Sequence, residues 1–226
     1  MGWLSDFKRR CRRDRLMRKA PAEVFERYYR SNKWGDRESR SGKGSSLAAT
    51  VELRPKLEAL LVELNIGMML DVPCGDFHWM AHVDLGRTQY LGGDIVPGLI
   101  ADNIRHHSCD SVTFQVIDLI TGPIPSADLI LVRDCLVHLS NDHVLSVLTQ
   151  IASSGSTYLL TTTFPSVTAN DNIATGEWRA VNLTLPPFSL PAPLRLIAEG
   201  AEHQKGQGRG KMLSLWRIDK LQALRS

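Results

Sequence analysis

The sequence predicts an α/β fold, a doubly wound, mostly parallel seven-stranded sheet with a C-terminal antiparallel hairpin, and three observations lead there. Five short apolar runs have strand length and end near an acidic or polar residue: IGMMLDV (66–72), TQYLGGDI (88–95), VTFQVID (112–118), ADLILVRD (127–134) and STYLLTTTF (156–164). Segments of helical character separate them, and strands alternating with helices pair in parallel through crossover connections. The last two runs, LRLIAEG and KMLSLWRI, instead flank the Gly-rich HQKGQGRG, which suits an antiparallel hairpin.

In chain order, the first residues carry Lys8, Arg9, Arg10, Arg12, Arg13, Arg15, Arg18 and Lys19 against Asp6 and Asp14. AEVFERYYR then sets Phe25, Tyr28 and Tyr29 at helical spacing, and SNKWGDRESRSGKGSS (31–46) has the Gly, Ser and charge content of a loop. Residues 1–49 therefore read as a basic helical N-terminal extension with a Gly/Ser-rich lid loop, and residues 50–226 as the sheet domain. Leu57, Leu60, Leu61 and Leu64 follow the spacing of an amphipathic helix that leads into the first strand. The turn after that strand runs on into Phe77, His78 and Trp79, which are expected to open a helix. NDHVLSVLTQIAS opens after a candidate N-cap, Ser140, with Val144, Leu148 and Ile151 on one face. TANDNIATGEWRAVNLTLPPFSLPAPL, between the fifth strand and the hairpin, is longer than a plain connection and is expected to wall a ligand site.

With 226 residues, 43% hydrophobic and 23% charged, the chain is long enough for one domain with a sizeable core. The net charge of +3 hides a division, because the basic extension sits on an acidic remainder. Weak contact of the N-terminus with anionic surfaces is one expectation, and a solvated terminus is the other. Cys11, Cys74, Cys109 and Cys135 show neither paired spacing nor C-x-x-C, which argues against a disulfide framework or a zinc knuckle. No run approaches the ~18 apolar residues of a membrane span, and no apolar signal-peptide core follows the basic start. Asp6 stands where a myristoylation motif needs Ser or Thr. A cytoplasmic location is expected.

Ligands of open α/β sheets sit beyond the carboxyl ends of the strands, so those residues carry the functional reading. The first strand ends in Asp71 and turns through Pro73, Cys74, Gly75 and Asp76, where Gly75 would let a ligand approach the backbone. Pyrophosphate needs several glycines before a helix N-terminus; a single glycine beside Asp76 repels phosphate and attracts an ammonium group. The second strand ends in Asp94, where a carboxylate can accept hydrogen bonds from both hydroxyls of a ribose. The third ends in Asp118-Leu119, a carboxylate for the exocyclic amine of adenine and a leucine for its ring. Adenosine joined to an amino acid is S-adenosyl-L-methionine.

DVPCGD, GGDI, IDL and ADLILVRDCLVHLS resemble, in order and spacing, the motifs of class I S-adenosylmethionine-dependent methyltransferases. The resemblance covers residues 66–164. It implies a Rossmann-like fold for residues 50–226, with Asp71, Pro73, Cys74, Gly75, Asp76, Trp79, Asp94, Ile95, Asp118, Leu119 and Arg133 at the cofactor. Pro73 and Phe77 depart from the family's D-x-G-x-G-x-G, and Pro73 stiffens the turn and removes one donor. The wider string, from WGDRESRSGKGSS through TTTF to GEWRAVNLTLPPFSLP, looks like small bacterial and viral methyltransferases associated with sugar and polysaccharide modification.

Methylating a hydroxyl requires alignment and a proton acceptor. His138 lies four residues beyond Asp134, so a helical turn after the fourth strand would set both on one face. Imidazole is suited to accept a hydroxyl proton near neutral pH. In the methyltransferases that the chain resembles, a histidine at this position often serves as base; Asp134 is the alternative, or orients the substrate or the methionine end. Trp178 is placed to lie against a sugar ring, with Arg179 and Asn182 bonding to hydroxyls or a carboxylate. Arg133-Asp134-Cys135-Leu136 lacks the Asp/Asn-Pro-Pro-aromatic string of adenine methylation, so no nucleic-acid acceptor is expected. His78 with His82, and His106 with His107, lack a matching carboxylate set, so no metal is expected. The expected activity is S-adenosylmethionine-dependent O-methylation of a sugar hydroxyl on a glycan or glycolipid precursor. Small-molecule or protein methylation and a non-catalytic cofactor-binding module are the alternatives.

Overall fold

The apolar runs become strands where the alternation placed them. In this computed structural model, which describes residues 2–200 and 209–225, Met68–Asp71 (β1), Gln89–Asp94 (β2), Val112–Val116 (β3), Leu129–Val132 (β4) and Tyr158–Thr163 (β5) pair in parallel. Arg195–Ala198 (β6) and Met212–Arg217 (β7) are antiparallel to each other, and β7 is antiparallel to β5. Most of the HQKGQGRG turn lies outside the described residues. The strand order β3-β2-β1-β4-β5-β7-β6 makes β1 and β4 neighbours from which the sheet grows in opposite directions, leaving a crevice at their carboxyl ends.

Alternation along each strand feeds two cores. Leu129 and Leu131 of β4 join Leu57, Leu60 and Leu61 of the helix Leu53–Glu63 (α3) and Leu99 and Ile100 of the helix Pro97–His107 (α4). Ile130 and Val132 face the other way, onto Val144, Val147, Leu148 and Ile151 of the helix Asn141–Ser153 (α5). All four β4 side chains are buried on both faces, the state of a central parallel strand, and each contributes roughly 1.5–3 kcal/mol by leaving water. Ser140 caps α5 as expected, its hydroxyl accepting the His143 N–H at 3.3 Å.

The alternation is incomplete in three places. The stretch after β1 forms no α-helix, only a short 3-10 turn at Met80–His82. Gly75 and Phe77 both take φ of 56°, which a right-handed helix does not accept. Residues 117–128 and 164–194 also connect strands without a helix.

The N-terminal helices Gly2–Met17 (α1) and Pro21–Arg30 (α2) lie over the carboxyl edge of the sheet. Leu16, Val24 and Tyr28 pack with Ala174, and the Tyr28 hydroxyl donates to the Gly176 carbonyl at 2.8 Å. On its other side α2 is tied to α4, where the Tyr29 hydroxyl donates to Asp102 at 2.8 Å. Thus α2 spans the crevice from one bank to the other. Among the described residues no helix is long and apolar enough to cross a membrane.

Candidate active site

A cavity of about 660 Å³ opens at the crevice, with the strand ends on one side and α2 and the loop after it on the other. Asp71, Asp94 and Asp118 all line it. Asp71 is 1% exposed and accepts the Tyr90 hydroxyl at 2.8 Å; burial pushes its carboxyl up to about 7, although that bond and Arg133 pull the other way. Burial also pushes Asp94 up to about 6, despite N–H donations from Val96 at 3.0 Å and Gly75 at 3.3 Å. Carboxyls buried with so few donors favour a ligand that brings hydroxyl or ammonium hydrogens. Asp118 accepts from the Ile120 N–H at 2.8 Å and the Thr121 hydroxyl at 2.6 Å within its own turn, and keeps lone pairs for another donor. Ile95 and Leu119 add apolar wall beside these acids.

The turn after β1 brings Pro73, Cys74, Gly75 and Trp79 to the cavity wall but turns Asp76 to another task. Asp76 Oδ1 accepts the hydroxyls of Ser39 and Ser41 at 2.9 and 3.0 Å, and Oδ2 accepts the Arg40 N–H at 2.7 Å. Its carboxylate therefore ties down the loop after α2 rather than receiving an ammonium group. The close approach expected at Gly75 is also made by this loop, since a Cβ there would lie 2.1 Å from Ser41 Oγ. The turn's N–H groups are engaged as well: Cys74 donates to the Gly93 carbonyl at 2.7 Å, Gly75 to Asp94, and Asp76 to Ser41 Oγ at 3.0 Å. No cradle of N–H groups is left there for a phosphate. Asp76→Ala is expected to release the loop, read as faster trypsin cleavage after Arg37, Arg40 and Lys43. Cleavage at the native rate would show that Asp76 does not hold it.

At the end of β4, Arg133 and Asp134 enter a buried charge quartet. Arg133 donates through Nε and Nη2 to Glu199 Oε2 at 2.8 and 2.6 Å, and through Nη2 to the Gly44 carbonyl at 2.8 Å. Its guanidinium also lies 5.2 Å from the Trp79 ring centre. Lys211 Nζ lies 2.5 Å from Asp134 Oδ2 and 3.1 Å from Glu199 Oε2. Burial would raise the Asp134 carboxyl, but Lys211 and Arg133 outweigh it and hold the group well below the usual carboxylate range. So paired, Asp134 is a poor proton acceptor. Glu199 and Lys211 escaped the sequence reading, where the available signal was one charged residue at the inner end of each hairpin strand.

His138 lines the same cavity from a 3-10 turn, Leu136–His138, rather than from a regular helix. Its Nδ1 lies 2.9 Å from the Glu177 carbonyl. A carbonyl only accepts, so Nδ1 carries the hydrogen and Nε2 of the neutral ring keeps its lone pair. Burial lowers the ring's pKa below the ordinary histidine value, so it is neutral at pH 7, although the Glu177 bond and Asp134 act in the opposite direction. Trp34, from the loop after α2, sits with its ring centre 6.1 Å from that of His138.

The three residues expected at the acceptor separate. Trp178 lines the cavity, its ring edge-on to Phe164 at 6.1 Å. Arg179 and Asn182 do not reach it. Arg179 is turned inward to the Leu136 carbonyl (2.6 Å), the Asp171 carbonyl (3.2 Å) and Asn141 Oδ1 (3.0 Å). Asn182 closes its own loop, donating to the Val167 carbonyl at 3.0 Å and accepting the Thr184 hydroxyl at 2.8 Å. The aromatic wall missed by the sequence reading, Phe25, Tyr29 and Trp34, comes from the extension, where helical spacing gave no sign that these rings face a ligand. Among the described residues no group of three or more His, Cys, Asp or Glu is arranged to hold a metal ion.

No protein family and no curated protein sequence matches the chain. Solved structures do. The chain is similar to DhpI in its complex with SAH, at 19% identity and a TM-score of 0.56, covering 86% of this chain and 95% of that one. It is also similar to 1,6-didemethyltoxoflavin-N1-methyltransferase of Burkholderia thailandensis bound to 1,6-didemethyltoxoflavin and S-adenosylhomocysteine, at 16% identity and a TM-score of 0.55, covering 74% of this chain and 78% of that one. Human N-acetylserotonin methyltransferase in complex with SAM is 15% identical with a TM-score of 0.49; the match covers 77% of this chain but only 57% of the human protein's length. The first two of these likenesses establish the fold, the Rossmann-like fold of methyltransferases.

Proposed function

We propose that the protein is an S-adenosylmethionine-dependent methyltransferase that methylates a hydroxyl, most specifically one on a sugar of a glycan or glycolipid precursor. One observation carries this reading: three acids at successive strand ends and a neutral histidine face one cavity that offers no phosphate cradle at its first turn. The residues present fit the cofactor. Asp94 would accept the ribose hydroxyls, and Asp118 and Leu119 would hold adenine. With Asp76 engaged by the loop, Asp71 is the carboxyl left at that end to receive the ammonium group.

When bound, the cofactor supplies a methyl group on a sulfonium. The chain's own residues hold, align and deprotonate the acceptor. His138 Nε2 would take the hydroxyl proton of the acceptor as that oxygen is methylated. Trp34 and Trp178 offer flat apolar faces for a sugar ring, and the same faces support small aromatic acceptors. The loop after α2, fastened by Asp76 and Arg133, keeps water from the transfer. Arg10, Arg13, Arg15 and Arg18 are exposed on and just after α1 and would draw an anionic acceptor or surface weakly toward the cavity.

The direct test is to incubate the protein with methyl-labelled cofactor and a panel of nucleotide sugars, glycans, small aromatic hydroxyls and amines, peptides and RNA. Label entering only peptide or RNA rejects the small-acceptor reading. Cofactor affinity should also depend on pH. Asp71 and Asp94, raised to about 7 and about 6, carry protons in mildly acid solution that must leave before they accept hydrogen bonds from the ligand. Affinity measured by calorimetry is expected to rise at least about tenfold from about pH 5 to 7, with proton release, and Asp94→Asn should make the rise shallower while leaving the part due to Asp71. A flat profile in the native protein would count against both assignments.

A further inference from the structure

Resting on the reading of His138 as base, we propose that Arg179 is its positioning residue, gripping the turn that carries the imidazole and fixing which ring nitrogen faces the acceptor. All three carbonyls of the turn Leu136–His138 accept hydrogen bonds from residues 176–179. Leu136 is bound by Arg179 Nη1 at 2.6 Å, Val137 by the Arg179 N–H at 3.0 Å, and His138 by the Gly176 N–H at 2.8 Å. The ring closes the circuit through Nδ1 and the Glu177 carbonyl at 2.9 Å. Arg179 supplies two of these four bonds, one of them the sole side-chain contribution from residues 176–179.

The surroundings of Arg179 are unusual for a guanidinium. It is 6% exposed, and among the described residues its fork meets no carboxylate, only the carbonyls of Leu136 and Asp171 and the amide oxygen of Asn141. Burial lowers its pKa to about 10, which still leaves it charged at neutral pH. The Asp171 carboxylate opposes that shift without an ion pair to the fork, and a buried cation held in this way costs the fold more than an apolar side chain filling the same space. Its position explains what the charge does. Of the charged groups acting on His138, Asp134 favours the imidazolium while Arg179 and Lys211 oppose it, so Arg179 helps keep the ring neutral and able to accept a proton. Tyr28 reaches the same segment through the Gly176 carbonyl, which links the grip to the docking of α2.

The test reads the imidazole directly and needs no known acceptor. The full chain is labelled with nitrogen-15 in its histidines, and the His138 signals, assigned by their loss in His138→Gln, are followed against pH. The native ring is expected as a single tautomer protonated on Nδ1, titrating below a free imidazole. Arg179→Met should raise the midpoint and mix the tautomers, and Arg179→Lys should keep the midpoint nearer to native but still mix them. If Arg179→Met does not fold, Asn141→Ala, which removes one acceptor from the fork while keeping its charge, should mix the tautomers in part. A folded variant of this set with native tautomer and midpoint overturns the proposal. Failure of the base reading shows itself separately, as methyl transfer surviving in His138→Gln while the resonance changes on Arg179 substitution remain.

Discussion

His138→Gln is expected to lower kcat by about 10²–10⁴-fold while leaving cofactor affinity unchanged. Glutamine can reproduce the donor on Nδ1 but has no basic nitrogen to take a proton. The cofactor-facing acids, Asp71, Asp94 and Asp118, are untouched by the change. Turnover and calorimetry on the same preparation give both quantities. Asp134→Asn separates the two candidate bases, because Asp134 is held ionised between Lys211 and Arg133. Its loss should disturb the charge quartet and the seating of the loop far more than proton transfer, and kcat should still rise with pH as the His138 imidazole, titrating below the ordinary histidine value, loses its proton. If instead Asp134→Asn abolishes turnover and that pH dependence while His138→Gln keeps both, Asp134 is the base.

Much of this site was legible because it depends on local chain features. An acid at the end of a strand projects to the carboxyl edge whatever surrounds it, so Asp71, Asp94 and Asp118 arrive where alternation puts them. Asp76 has partners that its neighbours in sequence could not show. Its partners Ser39 and Ser41 lie 37 and 35 residues earlier, on a loop whose path is set by α2. Arg179 and Asn182 sit in a long polar connection, where chain direction is decided by packing; Asn182 turned to a carbonyl of its own connection and Arg179 to that of Leu136, 43 residues earlier. The helix expected after β1 failed because the positive φ at Gly75 and Phe77 is a tertiary demand, met by seating Ser41 against Gly75 and Phe77 among Tyr90 and Phe114. The extension brings Phe25 and Tyr29 of α2 to the cavity wall. Aromatic residues at helical spacing do not announce which way they face.

The charge quartet gives the largest expected change in stability. Arg133, Glu199 and Lys211 are buried, and with Asp134 they bring two positive and two negative groups together. Glu199→Gln leaves two cations against Asp134 alone. Breaking a buried pair in this way costs about 3–5 kcal/mol. In a domain of this size that lowers the melting temperature by roughly 10 °C. The double substitution Arg133→Met with Glu199→Leu removes one charge of each sign and keeps the Lys211–Asp134 pair, so much of the lost stability should return. It does not return everything, because Arg133 also holds the Gly44 carbonyl. The double variant is therefore expected to melt close to the native protein yet bind the cofactor more weakly, with the loop after α2 cut faster by trypsin. Stability and binding would then separate at a single residue. A double variant that melts as low as Glu199→Gln would show that charge balance is not what the quartet contributes.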